Sequence, residues 1–483
     1  MLRFGTDGVR GLANAELAPE LVMALGRAAA RVLVPPGPPG LGRPAGRRFV
    51  VGRDTRLSGP LLQAALSAGL ASEGVEVLDV GVLPTPGVAH MSVEKMAPAA
   101  VISASHNPYW DNGVKFFSPG GSKLTDEVES ALEHELGRLL ERGPAQPAVA
   151  KDEVGVLVTD ATAARHYERH LLSCLGGRRL GGLRVVLDCA NGAAFEVAPR
   201  ALRRAGAEVV AVIGDKPDGT NINLQCGSTA PGALAQAVVS HRADLGLAFD
   251  GDADRLIAVD GDGHPVDGDR ILALFATDMA ARGELAGKSV VVTVMTNLGF
   301  HRAMQSAGVN VHTVTVGDRN VLEALDAHGW ALGGEQSGHV IFRSLATTGD
   351  GILTGLLLAD LVVRSGRSLA ELARAAMERL PQVLRSVRVG SRDLLDQAAG
   401  EPVWQAVKQV EQELGGQGRV VLRPSGTEPV VRVMVEAPSQ EQAEAAADHL
   451  VATLHAALGG PPAPGPQLAE APQAGTPEPG RAS

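Results

Sequence analysis

One local pattern recurs along most of this chain and narrows its fold more than any other feature. A short apolar run rich in β-branched residues is followed by a loop rich in glycine and aspartate, then by an amphipathic helical segment. Residues 49–51 (FVV) lead into GRDTRLSG and a helix starting near Pro60, where Pro after Ser and Gly is a helix-start signal. Residues 76–80 and 99–103 read as the next strands. The arrangement returns at 183–187 (LRVVL), 208–213 and 245–249 (LGLAF), and again at 289–294 (SVVVTV) and 310–316 (NVHTVTV). Strands alternating with helices over three successive segments predict an α/β class: three similar α/β domains with mixed, largely parallel sheets. After residue 380 the pattern changes to strands at 384–389, 419–422 and 430–435 and an Ala-rich helix at 439–458, a small C-terminal α+β domain.

Length agrees with this division, because 483 residues exceed what a single core organises. The expected domains are 1–160, 161–265, 266–379 and 380–458, followed by a disordered tail at 459–483 rich in Pro, Gly and Ala. A second loose segment, PPGPPGLGRPAGRR at 35–48, interrupts the first domain. The net charge of −10 argues against nucleic acid as a partner, which would need a basic stripe, but leaves an anionic substrate open. Cys174, Cys189 and Cys226 have no CxxC spacing and fit a reducing compartment. The opening MLRFGTDGVRG lacks the apolar run of a signal peptide, and no stretch reaches 18 apolar residues. The expectation is a soluble, cytoplasmic protein without membrane contact.

The sharpest chemical signal is DGDADR, which follows LGLAF and precedes an apolar run at 256–259. Carboxylates at alternate positions, Asp250, Asp252 and Asp254, point the same way, and each pair ~5 Å apart repels by ~3 kcal/mol at an effective dielectric of about 20. A cation relieves that repulsion, and all-oxygen donors select a hard one, Mg²⁺ or Ca²⁺. A calcium loop of the helix–loop–helix kind would need Gly and Glu where Arg255 and Gly261 stand. The plainer alternative is a solvated polar turn, and the nearby DGDGH at 260–264 reads as such a hairpin turn.

VISASHNP at 101–108 ends a buried-looking strand in serines and a histidine, so Ser105 is either a turn residue or a nucleophile at a strand end. In RPSGTEP, Arg423 offers a forked cation while Ser425, Gly426 and Thr427 offer hydroxyls and backbone N–H groups, an anion nest suited to phosphate. Arg432 could add charge from the next strand, although a plain hairpin would also use Ser-Gly-Thr. GEQSGH supplies Glu335, Ser337 and His339 between glycines, donors and acceptors suited to a hydroxyl-rich ligand. TDGVRG and DNGVK each place one cation, Arg10 and Lys115, after a glycine turn, and taken singly each reads as a solvated turn. No Walker loop, HExxH or dinucleotide fingerprint is present.

One chemistry uses all these parts. A serine carrying phosphate as a covalent intermediate splits one transfer into two easier steps. Its charge of about −1.5 to −2 beside three aspartates calls for a bridging metal.

Together VISASHNP with DNGVK, DGDADR, GEQSGH and RPSGTEP occur in the order seen in the α-D-phosphohexomutase superfamily, which this chain resembles from FGTDGVRG to RPSGTEPVVRVM. GTDGVRG together with SASHNP, GEQSGH and NINLQCGS is most similar to the branch acting on glucosamine phosphates. The resemblance implies a four-domain enzyme with one motif loop per domain facing a central cleft. It implies interconversion of glucosamine 6-phosphate and glucosamine 1-phosphate, on the way to UDP-N-acetylglucosamine and the cell wall. It also implies Mg²⁺ held by phosphorylated Ser105, Asp250, Asp252 and Asp254. Sugar contacts are implied for Glu335, Ser337, His339 and the third-domain residues Gly317, Asp318 and Arg319, and phosphate contacts for Arg423, Ser425, Gly426, Thr427 and Arg432. His106, Lys115, Arg10 and Arg255 would neutralise charge or shuttle the hydroxyl proton, Lys115 being the preferred base. A homodimer is the implied assembly. Asn320 stands where many relatives carry an aromatic residue. Rival readings are a mutase for mannose and glucose phosphates, a phosphatase that releases the Ser105 phosphate to water, and a non-catalytic sugar-phosphate sensor.

Overall fold

The computed structural model describes residues 8–34, 46–141, 149, 152–390, 395, 400–424 and 430–459. Most of the insertion at 35–48, all but Gly459 of the tail at 459–483, and Ser425, Gly426 and Thr427 lie outside them. The chain divides into two compact units, Met1–Glu378 and Arg379–Ser483.

The first unit carries three sheets. β1 (Val9–Leu12), β2 (Arg48–Arg53), β3 (Glu76–Val82), β4 (Ala99–Ile102), β5 (Asp111–Phe117) and β6 (Leu157–Thr159) form the first, in the order β1-β5-β4-β2-β3-β6. β7 (Arg184–Asp188), β8 (Glu208–Ile213), β9 (Leu245–Phe249), β10 (Leu256–Asp260) and β11 (Pro265–Val266) form the second, in the order β11-β10-β9-β7-β8. β12 (Ser289–Thr293), β13 (Asn310–Val314), β14 (Leu332–Gly334) and β15 (Val340–Phe342) form the third, in the order β13-β12-β14-β15. In each, the strands read from the apolar runs pair in parallel and an antiparallel strand borders them. β4, β9 and β12 are buried along their whole length, as expected of strands covered on both faces. The helix at the expected start is Gly59–Ser72, with Pro60 in its first turn.

Two expectations need correction. The segments around Arg10 and Lys115 are not solvated turns: they form β1 and β5, paired antiparallel with Arg10 opposite Gly113. β5 is buried from Asn112 to Phe117, Lys115 included, so packing overrides the turn signal of Asp-Asn-Gly. The hairpin read at 260–264 does form, joining β10 to β11.

One continuous hydrophobic cluster runs through the first unit from Val50 to Met377 and includes residues of all three sheets. The second unit has its own core. There β16 (Gln382–Arg388), β17 (Arg419–Pro424) and β18 (Val430–Glu436) pair antiparallel in the order β16-β18-β17. Helix Gln440–Leu458 packs on them, its N-terminus capped by Ser439.

Candidate active site

Each α/β sheet ends one parallel strand in a loop that returns as an antiparallel neighbour: β4 to β5, β9 to β10, and β14 to β15. The three loops carry, in turn, Ser105, the Asp250–Asp252–Asp254 group, and Glu335 with Ser337 and His339. Carboxyl ends of parallel strands are where open α/β sheets bind ligands. The second loop touches both of the others.

Ser105 is 2% exposed and has φ of 52°, left-handed backbone that a non-glycine residue adopts at a cost on the order of 1 kcal/mol. Its Oγ donates to Asp250 Oδ2 at 2.6 Å. Gly251 lies against the same turn so closely that a Cβ there would stand 2.5 Å from Ser105 O, so no other residue fits without displacing the serine. The loop after β14 approaches from the other side, where Leu256 N donates to Gly338 O at 3.0 Å.

Carboxylate oxygens of Asp250, Asp252 and Asp254 lie within 4.8 Å of one another, all three residues buried. Cations surround them. Lys115 Nζ lies 2.9 Å from Asp252 Oδ2 and 3.6 Å from Asp254 Oδ2, and Thr85 Oγ1 donates to Asp252 Oδ2 at 2.7 Å. Arg255 Nε is 3.8 Å from Asp254 Oδ1. His339 bridges the second and third loops, with Nδ1 3.7 Å from Asp254 Oδ1 and Nε2 3.5 Å from Asp318 Oδ2. Burial lowers the His339 pKa, but the carboxylates of Asp254, Asp318 and Glu335 outweigh it and raise it to about 9. Even so, Oδ1 of Asp252 and of Asp254 are buried with no hydrogen-bond partner. Two sealed carboxylate oxygens without donors, in an all-oxygen cluster beside a serine hydroxyl, fit a hard divalent cation.

His106 has the opposite environment. Burial first, then the cations of Arg255 and Arg10, push its ring down to about 4. Nδ1 lies 3.3 Å from Ser105 Oγ and 3.3 Å from Arg255 Nη1. Since Arg only donates, Nδ1 is assigned as an acceptor on a neutral ring.

In the third loop Glu335 Oε1 accepts from Gly317 N at 3.1 Å, and Ser337 Oγ donates to Glu335 Oε2 at 3.4 Å. Gly317 and Asp318 open the helix Asp318–His328, where Asn320 Nδ2 donates to Val316 O at 3.1 Å. Arg319 points elsewhere: its guanidinium engages Asp126, Glu129 Oε1 at 2.6 Å and Leu124 O at 2.8 Å. On the second unit, Arg423 and Arg432 stand directly opposite each other across β17 and β18.

The sequence reading passed over several buried polar residues here. Asp54, Arg56 and Ser103 lie fully buried behind Ser105, and Asn223 reaches it from the second sheet's side. Tyr167 donates to Asp350 Oδ2 at 2.8 Å, and Asp350, raised to about 6 by burial, caps the helix Gly351–Ser365 whose first residue donates to Ala253 O. The only linear signals were GRDTR and NINLQCGS, which mark loops without saying what those loops touch.

Similarity to known proteins covers nearly the whole chain. Family models of phosphoglucomutase/phosphomannomutase match in chain order: alpha/beta/alpha domain I at residues 1–142, domain II at 165–263, domain III at 267–380 and the C-terminal domain at 384–453. Phosphoglucosamine mutase of Thermobifida fusca is 54% identical over 448 residues, covering 92% of this chain and 96% of that protein. Phosphoglucosamine mutase of Desulforudis audaxviator is 52% identical over 438 residues, covering 90% and 94%. A solved phosphoglucomutase/phosphomannomutase family protein of Burkholderia thailandensis superposes with a TM-score of 0.74 at 25% identity, covering 94% of this chain and 97% of that one.

Proposed function

The chain belongs to the phosphoglucomutase/phosphomannomutase family, and from that premise we propose that it is a phosphoglucosamine mutase, interconverting glucosamine 6-phosphate and glucosamine 1-phosphate for UDP-N-acetylglucosamine and cell-wall synthesis. It is an isomerase working by phosphoryl transfer, and the same reading divides it into four domains at 1–160, 161–265, 266–379 and 380–458. The observation that carries the mechanism is the Ser105 hydroxyl, held in strained backbone 2.6 Å from Asp250 in a sealed group of three carboxylates.

Phosphorylated Ser105 gives its phosphoryl group to O1 of bound glucosamine 6-phosphate. The Oγ–P bond breaks, the O1–P bond forms, and the O1 proton passes to the protein. The 1,6-bisphosphate turns over, its 6-phosphoryl group passes to Ser105 Oγ as the O6–P bond breaks and O6 takes the proton back from the protein, and glucosamine 1-phosphate leaves. Asp250, Asp252, Asp254 and an oxygen of the Ser105 phosphate would hold Mg²⁺, which when bound offsets phosphoryl charge as a Lewis acid. Arg10 and Arg255 flank the transferring group with fixed positive charge. Lys115 is ion-paired to Asp252 and must lose a proton before its amine can take one. His106, neutral at pH 7, stands with Nδ1 3.3 Å from Ser105 Oγ.

Glu335 and Ser337 read sugar hydroxyls in this scheme. Gly317 and Asp318 shape that loop, His339 joins it to the metal loop, and Arg319 anchors the turn through its own ion pairs. Arg423 and Arg432, with Ser425, Gly426 and Thr427, hold the phosphate that is not reacting. The helices of the described residues include none long and apolar enough to cross a membrane. Cys174, Cys189 and Cys226 are free thiols, which supports a cytoplasmic enzyme. Assembly as a homodimer belongs to the same reading.

The test is peptide mass spectrometry of the protein as isolated, with turnover of glucosamine 6-phosphate measured against mannose and glucose phosphates. Phosphate on Ser105, a preference for the glucosamine ester, and loss of at least ~10⁴-fold in kcat for Ser105→Ala are expected. Full activity of Ser105→Ala would end the mechanism, and a preference for mannose or glucose phosphate would end the glucosamine assignment.

A further inference from the structure

Four backbone carbonyls of the Ser105 loop converge on one sealed guanidinium. Arg56 is 0% exposed. Its Nη2 donates to Ser105 O at 2.8 Å and Asn107 O at 2.9 Å, and its Nη1 to Asp111 O at 3.1 Å and to Pro108 O. Nε donates to Asp54 Oδ2 at 2.9 Å. Every one of the five N–H groups of an arginine side chain thus has its own acceptor. The same Asp54 Oδ2 accepts from Ser103 Oγ at 2.6 Å, and Ser103 Oγ accepts from Ser105 N at 2.9 Å. Both peptide groups flanking the Ser105 side chain are therefore wired to one buried Asp54–Arg56 pair. Asn223 adds a second donor to Ser105 O at 2.9 Å and to Asn107 O at 3.2 Å.

Left-handed backbone at a serine persists only where its surroundings over-determine it. Here they do: N–H and C=O of Ser105 are fixed by the fully buried Ser103 and Arg56, with half-buried Asn223 as a second donor to the carbonyl. We propose that Arg56 is a positioning residue for phosphoryl transfer, with Asn223 as its partner from the second domain. It acts through the Ser105 main chain, aiming Oγ at Asp250, and touches neither sugar nor phosphate. Lysine cannot take its place, because an ammonium has three donors on a point charge, whereas this socket presents five acceptors around a planar fork. The assignment rests on Ser105 being the phosphorylated residue.

The test follows the half-reaction. Dephosphorylated parent, Arg56→Lys and Asn223→Ala are incubated with glucose 1,6-bisphosphate and Mg²⁺, and phosphoserine is followed in time by intact mass. For Arg56→Lys the end-point should approach that of the parent while the rate constant falls ~100-fold, the cost of misplacing a reacting atom by about 1 Å. In steady state kcat should fall alike, with KM for glucosamine 6-phosphate changed by less than about twofold. Asn223→Ala, which removes one of two donors from a carbonyl, should slow the same step ~10-fold. An unchanged rate constant in Arg56→Lys overturns the assignment, whether its end-point is full or is lowered by a folding defect. If Arg56→Lys does not fold, Asn223→Ala decides, and an unchanged rate there overturns it too. A parent that takes no phosphate on Ser105 would instead bring down the proposed function, and this assignment with it.

Discussion

Asp250 and Asp254 sit four residues apart in one buried loop, yet their charges are held in opposite ways. Burial, then the charges of Asp254 and Asp252, push the Asp250 carboxyl well above its usual range. Burial acts on Asp254 too, but Lys115, His339 and Arg255 outweigh it and hold that carboxyl well below its usual range. Without a divalent ion, charge on Asp250 thus costs more than charge on Asp254. Asp250→Asn should cost no more than about 1 kcal/mol in EDTA, the worth of one hydrogen bond from Ser105 or Arg255 N. The parent should gain ~2.7 kcal/mol at Mg²⁺ a hundredfold above its Kd, and the variant almost nothing. Thermal melts of both proteins, with and without Mg²⁺, check this, and equal gains would remove Asp250 from the metal site. The spacing of these aspartates was readable in the sequence because alternate residues share a side. Lys115 at Asp252 and Arg56 behind Ser105 were not, because each meets its partner only after the chain has folded back over 137 and 49 residues.

At the scale of elements, what could be read depended on which interaction decides the element. β9 and β12 are buried end to end, so burial alone marks them in the sequence. β1, β5, β14 and β15 are decided by pairing: Val9 against Val114, Leu332 against Phe342. Leu332-Gly-Gly334 carries no strand preference of its own, Val340–Phe342 is only three residues long, and β1 and β5 contain glycine turn signals, so these four went unread. A titration belongs to this scale as well. Helices Thr85–Lys95 and Ala163–Ser173 pack together with His90 stacked on His170, ring centroids 4.4 Å apart. Burial first, then His170 and His166 against the opposing pull of Glu94, lower His90 to about 4, and burial lowers His170. Both rings are therefore neutral when folded, while the unfolded chain protonates them near pH 6.5. Their contribution to stability is present above pH 6.5 and is lost as pH falls from there toward 4. The urea midpoint of the parent should drop between pH 7 and pH 5, and that of a His90→Gln/His170→Gln variant should drop less. Identical slopes would remove this helix pair from the acid response.

For the whole molecule the decisive fact is how the chemistry divides between the two units. Ser105, the three aspartates, Lys115, Arg56 and the loop at 335–339 all belong to Met1–Glu378, and the hydrophobic cluster beneath them draws on no residue beyond Met377. Arg423 and Arg432 belong to Arg379–Ser483, whose core runs from Val383 to Leu458. Two separate cores predict that a chain ending at Glu378 folds and keeps the phosphoryl-transfer groups in place. In the proposed mechanism that chain has lost only its grip on the far phosphate. A charge-assisted hydrogen bond is worth about 1.5–3 kcal/mol, so losing the Arg423 and Arg432 contacts should raise the glucose 1,6-bisphosphate concentration that half-saturates Ser105 phosphorylation by ~100-fold or more. The limiting rate at saturation should change far less, because the groups that act on the moving phosphoryl are all retained. Phosphorylation rate against bisphosphate concentration, compared between the full chain and the shortened one, separates the two quantities. Half-saturation that does not move would mean that the C-terminal unit takes no part in holding phosphate.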